Sequence, residues 1–159
     1  MASQLIITSV EKLQNDILAK IKSLNGKIGI YVSLNKTQKS TEEAFTKNGL
    51  DTSRMFFIDC VSKEKVREDV LHISPEDLDT LNTAMQAFVK DIHGEKFILI
   101  DALSTLLIYN NENKVAKFVQ ELTEYSSENN VHIIAFSPRT QGEELLDKIF
   151  NFFDTVEKK

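Results

Sequence analysis

The chain has 159 residues, 42% of them hydrophobic and 27% charged, which suits one globular core and excludes a disordered or fibrous protein. Nineteen basic residues against 24 acidic ones leave a net charge of −5, which argues against nucleic acid as the main ligand, because neutralising phosphates needs a basic surplus or stripe. With Cys60 as the one cysteine there is no disulfide framework, no apolar run approaches the roughly 20 residues of a membrane span, and Met1-Ala2-Ser3-Gln4 lacks the basic, apolar start of a signal peptide; a cytoplasmic protein with no membrane partner is expected.

A first strand is predicted over 5–8, and it passes almost directly into a helix on which Val10, Leu13, Ile17, Leu18, Ile21 and Leu24 share one face, with Asn25-Gly26 as its stop. The second strand covers 28–34. A short helix over 41–47 ends at Asn48-Gly49, where glycine tolerates the left-handed conformation. The third strand covers 55–60. After it, Lys63-Glu64-Lys65 and Arg67-Glu68-Asp69 read as a solvated excursion, and Val70-Leu71-His72-Ile73 as an edge strand. Ser74 is then expected to cap a helix with Pro75 in its first position and Asp77 at the positive end of its dipole. Its buried stripe is Leu78, Leu81, Met85, Phe88, Val89 and Ile92. A strand over 97–100 follows, then a helix carrying Val115, Phe118, Val119, Leu122 and Tyr125. A strand over 131–136, a helix carrying Leu145, Leu146, Ile149, Phe150 and Phe153, and a short strand over 155–157 complete the chain.

Most of these strands are apolar at consecutive positions, as strands buried on both faces are. The expected fold is α/β: a three-layer arrangement with a mostly parallel central sheet of about six strands and helices on both faces, in one domain over 1–159. Such a sheet makes its ligand site beyond the carboxyl ends of its strands. The residues there include Thr8, Ser9, Ser33, Asn35, Lys36, Asp59, Asp101, Ser104, Thr105 and Arg139.

Known phosphate cradles do not match. The glycines are Gly26, Gly29, Gly49, Gly94 and Gly142, and none falls in a G-x-x-x-x-G-K-S/T or G-x-G-x-x-G pattern. Gly26-Lys27 runs into a strand, whereas a phosphate loop must open a helix whose amides face the anion. There is no G-x-S-x-G elbow, Cys60 has no histidine close by in sequence, and His72, His93 and His132 match no metal-ligand spacing.

Phe97-Ile98-Leu99-Ile100-Asp101-Ala102-Leu103-Ser104 resembles the Walker-B strand of RecA-like ATPases, particularly the KaiC-like group. Gly29-Ile30-Tyr31-Val32-Ser33-Leu34-Asn35 is similar to that group's second core strand, Asn48-Gly49-Leu50-Asp51 to a helix end, and Met55-Phe56-Phe57-Ile58-Asp59 to its third strand; Val131-His132-Ile133-Ile134-Ala135 and Phe153-Asp154-Thr155-Val156 match the last strands. The resemblance covers most of the chain from Lys27 onward and implies a RecA/KaiC-like fold.

The departures shape the expected function. The family carries a glycine-rich loop with a lysine after its first strand, where this chain has Ser9-Val10-Glu11, and a pair of catalytic glutamates after its second, where it has Asn35 and Lys36. An amide is no general base near neutral pH, and an ammonium repels magnesium.

The expectation is a degenerate member that has lost ATP hydrolysis, takes no cofactor and binds nucleotide weakly or not at all. It would serve as a regulatory or assembly module through a protein partner or copies of itself. The alternative is a small-molecule domain, binding an anion or nucleotide, or a weak ATPase, on the strand-end rim of Lys36, Asp59, Asp101, Ser104, Thr105 and Arg139; a third possibility puts the other half of an ATP site on another chain. Asp59 and Asp101 are expected near each other, with Ser104 as hydrogen-bond donor to Asp101.

Overall fold

The computed structural model describes residues 3–24, 26–62, 70–139 and 143–159. Strands and helices alternate: β1 (Ser3–Thr8), α1 (Val10–Ser23), β2 (Ile28–Ser33), α2 (Gln38–Lys47), β3 (Met55–Asp59), β4 (Val70–His72), α3 (Leu78–Asp91) and β5 (Lys96–Asp101). A 3-10 turn over Leu103–Ile108 leads to α4 (Glu112–Asn129), β6 (His132–Pro138), α5 (Glu143–Ile149), a second 3-10 turn (Phe150–Phe152) and β7 (Thr155–Lys158). The strands form one seven-stranded sheet in the order β4-β3-β2-β5-β6-β1-β7, with every pairing parallel. The strand beyond the expected six is β4, where the run at 70–73 reads as an edge. The charged run at 63–69 lies outside the described residues, as do Met1, Ala2 and Asn25.

Period-two burial sorts the strand side chains onto two faces. One face, with Leu5, Ile30, Ile58, Ile98 and Ile133, packs under α3, α4, α5 and the first 3-10 turn; the other, with Ile6, Tyr31, Phe57, Leu99 and Phe136, packs under α1 and α2. Both helical layers are built mainly from the stripes that the 3.6-residue period identifies; the exceptions are Val10, which is exposed at the first position of α1, and Phe150 and Phe153, which follow the end of α5 at Ile149 and pack from the 3-10 turn and the residue after it. Among the described residues no helix is long and apolar enough to cross a membrane.

Two helix starts differ from expectation. The cap of α3 is Asp77, whose side chain accepts from the Thr80 amide at 3.1 Å, while Ser74 and Pro75 form the turn before it. A carboxylate placed one residue before the stripe outcompetes the serine three residues earlier. α2 begins at Gln38, before the expected 41, because Thr37 caps it by accepting from the Ser40 amide at 3.1 Å.

Gly29 allows one close approach. A Cβ there would lie 2.2 Å from ring atoms of Phe97, so the β2–β5 contact at the amino end of the sheet requires hydrogen at that position.

The chain leaves β2 for α2 on one face and leaves β5 for the 3-10 turn on the other. These strands are neighbours, so a topological switch point opens between their carboxyl ends.

Candidate functional site

Ser33 is the register partner of Asp59 on one side and of Asp101 on the other. The two aspartates therefore stand at one level of the sheet, each one strand from β2, at the switch point. Because side chains alternate, Tyr31 lies on the same face two residues back.

Asp101 is 3% exposed and receives two donors: the Tyr31 hydroxyl to Oδ2 at 2.6 Å and the Asn35 side-chain amide to Oδ1 at 3.1 Å. Its backbone carbonyl accepts from the Leu34 amide at 2.8 Å, and its peptide bond to Ala102 is cis. The Asn35 carbonyl oxygen in turn accepts from the Thr105 hydroxyl. One chain of contacts, Tyr31–Asp101–Asn35–Thr105, thus spans the crevice between β2 and the 3-10 turn. Burial raises the Asp101 pKa above the ordinary carboxyl value, although the Tyr31 and Asn35 hydrogen bonds and the Lys36 charge all act to lower it. Burial first, and then the Asp101 charge, push the Tyr31 phenol well above its usual value.

Asp59 is held differently. Oδ2 accepts from the Gln38 amide at 2.9 Å and the Ser62 hydroxyl at 2.7 Å, and Oδ1 from the Val61 and Ser62 amides at 2.7 and 2.8 Å. Burial alone would raise its pKa, but these donors outweigh it and the net shift is downward. With four donors its acceptor capacity is filled, and its task is to tie the start of α2 to the turn after β3.

The remaining rim residues are dispersed. Lys36 reaches Gln14 on α1 at 3.2 Å, and its carbonyl accepts from the Ser33 hydroxyl. Ser104 is buried in the 3-10 turn. The Arg139 amide donates to the Thr8 carbonyl at 2.6 Å, while its side chain lines a cavity of about 380 Å³ with Ile7, Leu146 and Phe150 on the α5 side. The structure brings Asp59, Asp101 and Thr105 to one switch point but places Lys36 and Arg139 against different layers. β1 passes to α1 through Ser9 alone, which caps that helix by accepting from the Lys12 amide at 3.3 Å. Among the described residues no group of three or more His, Cys, Asp or Glu is placed to hold a metal.

Sequence reasoning missed Tyr31 and Asn35 as the partners of Asp101. The available signal was a phenol two residues before Ser33 in an otherwise apolar buried strand, where its hydroxyl needs a partner. A cavity of about 550 Å³ lies at the opposite, amino end of the sheet, between the ends of α1 and α2.

A family model described as a protein of unknown function (DUF835) matches residues 7–150. No curated protein is significantly similar in sequence. Among solved structures, the KaiC-like protein PH0186 from Pyrococcus horikoshii OT3 superposes with a TM-score of 0.71 at 13% identity, over 98% of this chain and 69% of that one. An uncharacterized Pyrococcus horikoshii protein, PH0321, in complex with an unknown peptide gives 0.68 at 10% identity, over 99% and 76%. PH0250 from Pyrococcus horikoshii OT3 gives 0.67 at 13%, over 99% and 81%. At these identities the likeness is one of fold, and the fold is RecA/KaiC-like.

Proposed function

The chain belongs to the DUF835 family, and we propose that it is a non-catalytic RecA/KaiC-like module, a single domain over 1–159, that acts through protein–protein contacts. The observation that carries this reading is the state of the switch-point crevice. There Asn35 links Asp101 to Thr105, so the place where this fold binds ligands is filled by the chain's own hydrogen bonds. The first strand offers no compensating cradle, because Ser9 alone separates it from α1 and its hydroxyl already serves that helix's amides. Triphosphate affinity comes mainly from a loop of backbone amides and a lysine. Asp101, buried and bonded to Tyr31 and Asn35, is a structural acceptor in this reading. A structural relative captured with an unknown peptide supports a role in protein contacts.

Titration calorimetry with magnesium ATP tests the reading. The expected result is a dissociation constant weaker than about 10 μM, or about −7 kcal/mol, with no phosphate release. Tighter binding, or turnover that Asp101→Asn abolishes, would overturn it.

A further inference from the structure

Two surfaces at opposite ends of the sheet complement each other. At the carboxyl end, the 3-10 turn buries Leu103 and Leu106 and then projects Ile108 and Tyr109, which are 73% and 46% exposed. Among the described residues Ile108 is the most exposed large apolar side chain. The projection is held firmly: the Asn110 side-chain amide donates to the Leu106 carbonyl at 3.1 Å and to the Pro75 carbonyl at 2.9 Å, and the Tyr109 and Asn110 amides also donate to Leu106. A pre-ordered apolar knob loses little entropy on docking. Asn110 shares its pocket with Glu76, Asp77, Asp79 and Glu121 and with Lys114 and Lys117, so the flank of the knob is acidic by four carboxylates against two lysines.

At the amino end, the cavity of about 550 Å³ has Leu24, Leu50 and Met55 among its walls and Lys22, Lys27 and Arg54 on its rim. Lys27 is shared with Glu95 at 3.4 Å and Arg54 donates to the Gly26 carbonyl at 2.8 Å. The rim still gathers three cations against the two carboxylates of Asp51 and Glu95, in a chain whose net charge is −5.

We propose that a second copy of this chain fills the cavity, its Ile108–Tyr109 knob entering the apolar pocket while the acidic flank of the knob meets the cationic rim. This names the partner in the protein-contact reading above. Because knob and cavity lie on different surfaces, the contact is head to tail, and each added copy leaves one knob and one cavity free. Association therefore continues past the dimer, into a ring or an open row.

Sedimentation velocity across a concentration series, at low and at high salt, reads this directly. The wild-type protein is expected to form species larger than dimers, weakened by salt because the rim contact is electrostatic. The knob variant Ile108→Ser with Tyr109→Ser, and the rim variant Lys22→Glu with Arg54→Glu, should each associate at least about tenfold more weakly. Mixed one to one, they should form a dimer and stop, since one intact knob meets one intact cavity and the other pair is broken. That dimer also shows both variants to be folded.

A wild type that is monomeric throughout, variants that associate like the wild type, or a mixture that forms no dimer would each overturn the proposal. Those results leave the non-catalytic reading standing, since its own test is nucleotide binding; ATP turnover would overturn that reading and not the assembly.

Discussion

The Tyr31 hydroxyl donates to Asp101 Oδ2 over 2.6 Å inside the sheet, and this contact links two residues seventy positions apart on neighbouring strands. It also sets how the protein responds to pH. Burial holds the Asp101 pKa above the ordinary value of about 4, so the folded state binds this proton more tightly than the unfolded chain. The stabilisation from that proton is full below about pH 4 and is lost as pH rises through the folded value. Asp101→Asn removes the ionisation. Its stability relative to the wild type should therefore increase from pH 4 to pH 7 in urea denaturation, and should stay within about 1 kcal/mol of the wild type at the acidic end. Asp101→Leu leaves the buried Tyr31 hydroxyl and the Asn35 side-chain amide without their acceptor and should cost about 1–3 kcal/mol.

Asp59 pulls the other way. Its pKa is lowered, because the Gln38, Ser62 and Val61 donors outweigh its burial. Its contribution is present above the unfolded value near 4 and is lost as pH falls through the folded one. Asp59→Asn turns an amide towards donors that need acceptors and should cost about 2–3 kcal/mol at pH 7. The deficit should narrow in acid, and a deficit that is the same at pH 3 and pH 7 would count against this account.

The layers, the strand runs and the helical stripes were legible because each depends on the period of apolar residues, which is local. Asp59 and Asp101 were placed correctly at strand ends for the same reason. Their partners were not. Tyr31 meets Asp101 only because β2 and β5 pair in parallel with Ser33 opposite Asp101, and no periodicity encodes that register. That Lys36 reaches Gln14 on α1 while Arg139 lines the cavity on the α5 side follows likewise from which face each connection takes. The start of α3 was misread because Ser74 and Asp77 both match a capping pattern, and only the reach of the Asp77 carboxylate to the Thr80 amide decides between them.

The contact between Gly29 and Phe97 predicts a non-additive pair. Gly29→Ala places a methyl 2.2 Å from the Phe97 ring and should destabilise by about 1–3 kcal/mol through overpacking. Phe97→Leu makes room. In a double-mutant cycle the combined variant should be more stable than the sum of the singles implies, whereas simple additivity would locate the cost of Gly29→Ala elsewhere.

Cys60 should be chemically silent in the folded protein. Burial and the neighbouring Asp59 charge push its thiol up to about 12, so at pH 8 roughly one molecule in ten thousand carries the thiolate. Labelling by a disulfide reagent should be slow in buffer and fast in urea. Prompt stoichiometric labelling of the native protein would mean that the strand-end turn opens far more readily than its hydrogen bonds suggest.

The position of β1 has a consequence for how the protein is made. Among the described residues its neighbours are β6 and β7, with Ser3 opposite Ile133 and Gln4 opposite Thr155, so the first of these seven strands to be synthesised pairs with the last two of them. At roughly 5–20 residues per second, Leu5, Ile6 and Ile7 wait on the order of ten seconds for a partner. During that interval β2, β3 and β5 can already assemble beside one another, and the nascent chain carries an unpaired apolar segment that a chaperone must shield or a neighbouring polysome can capture.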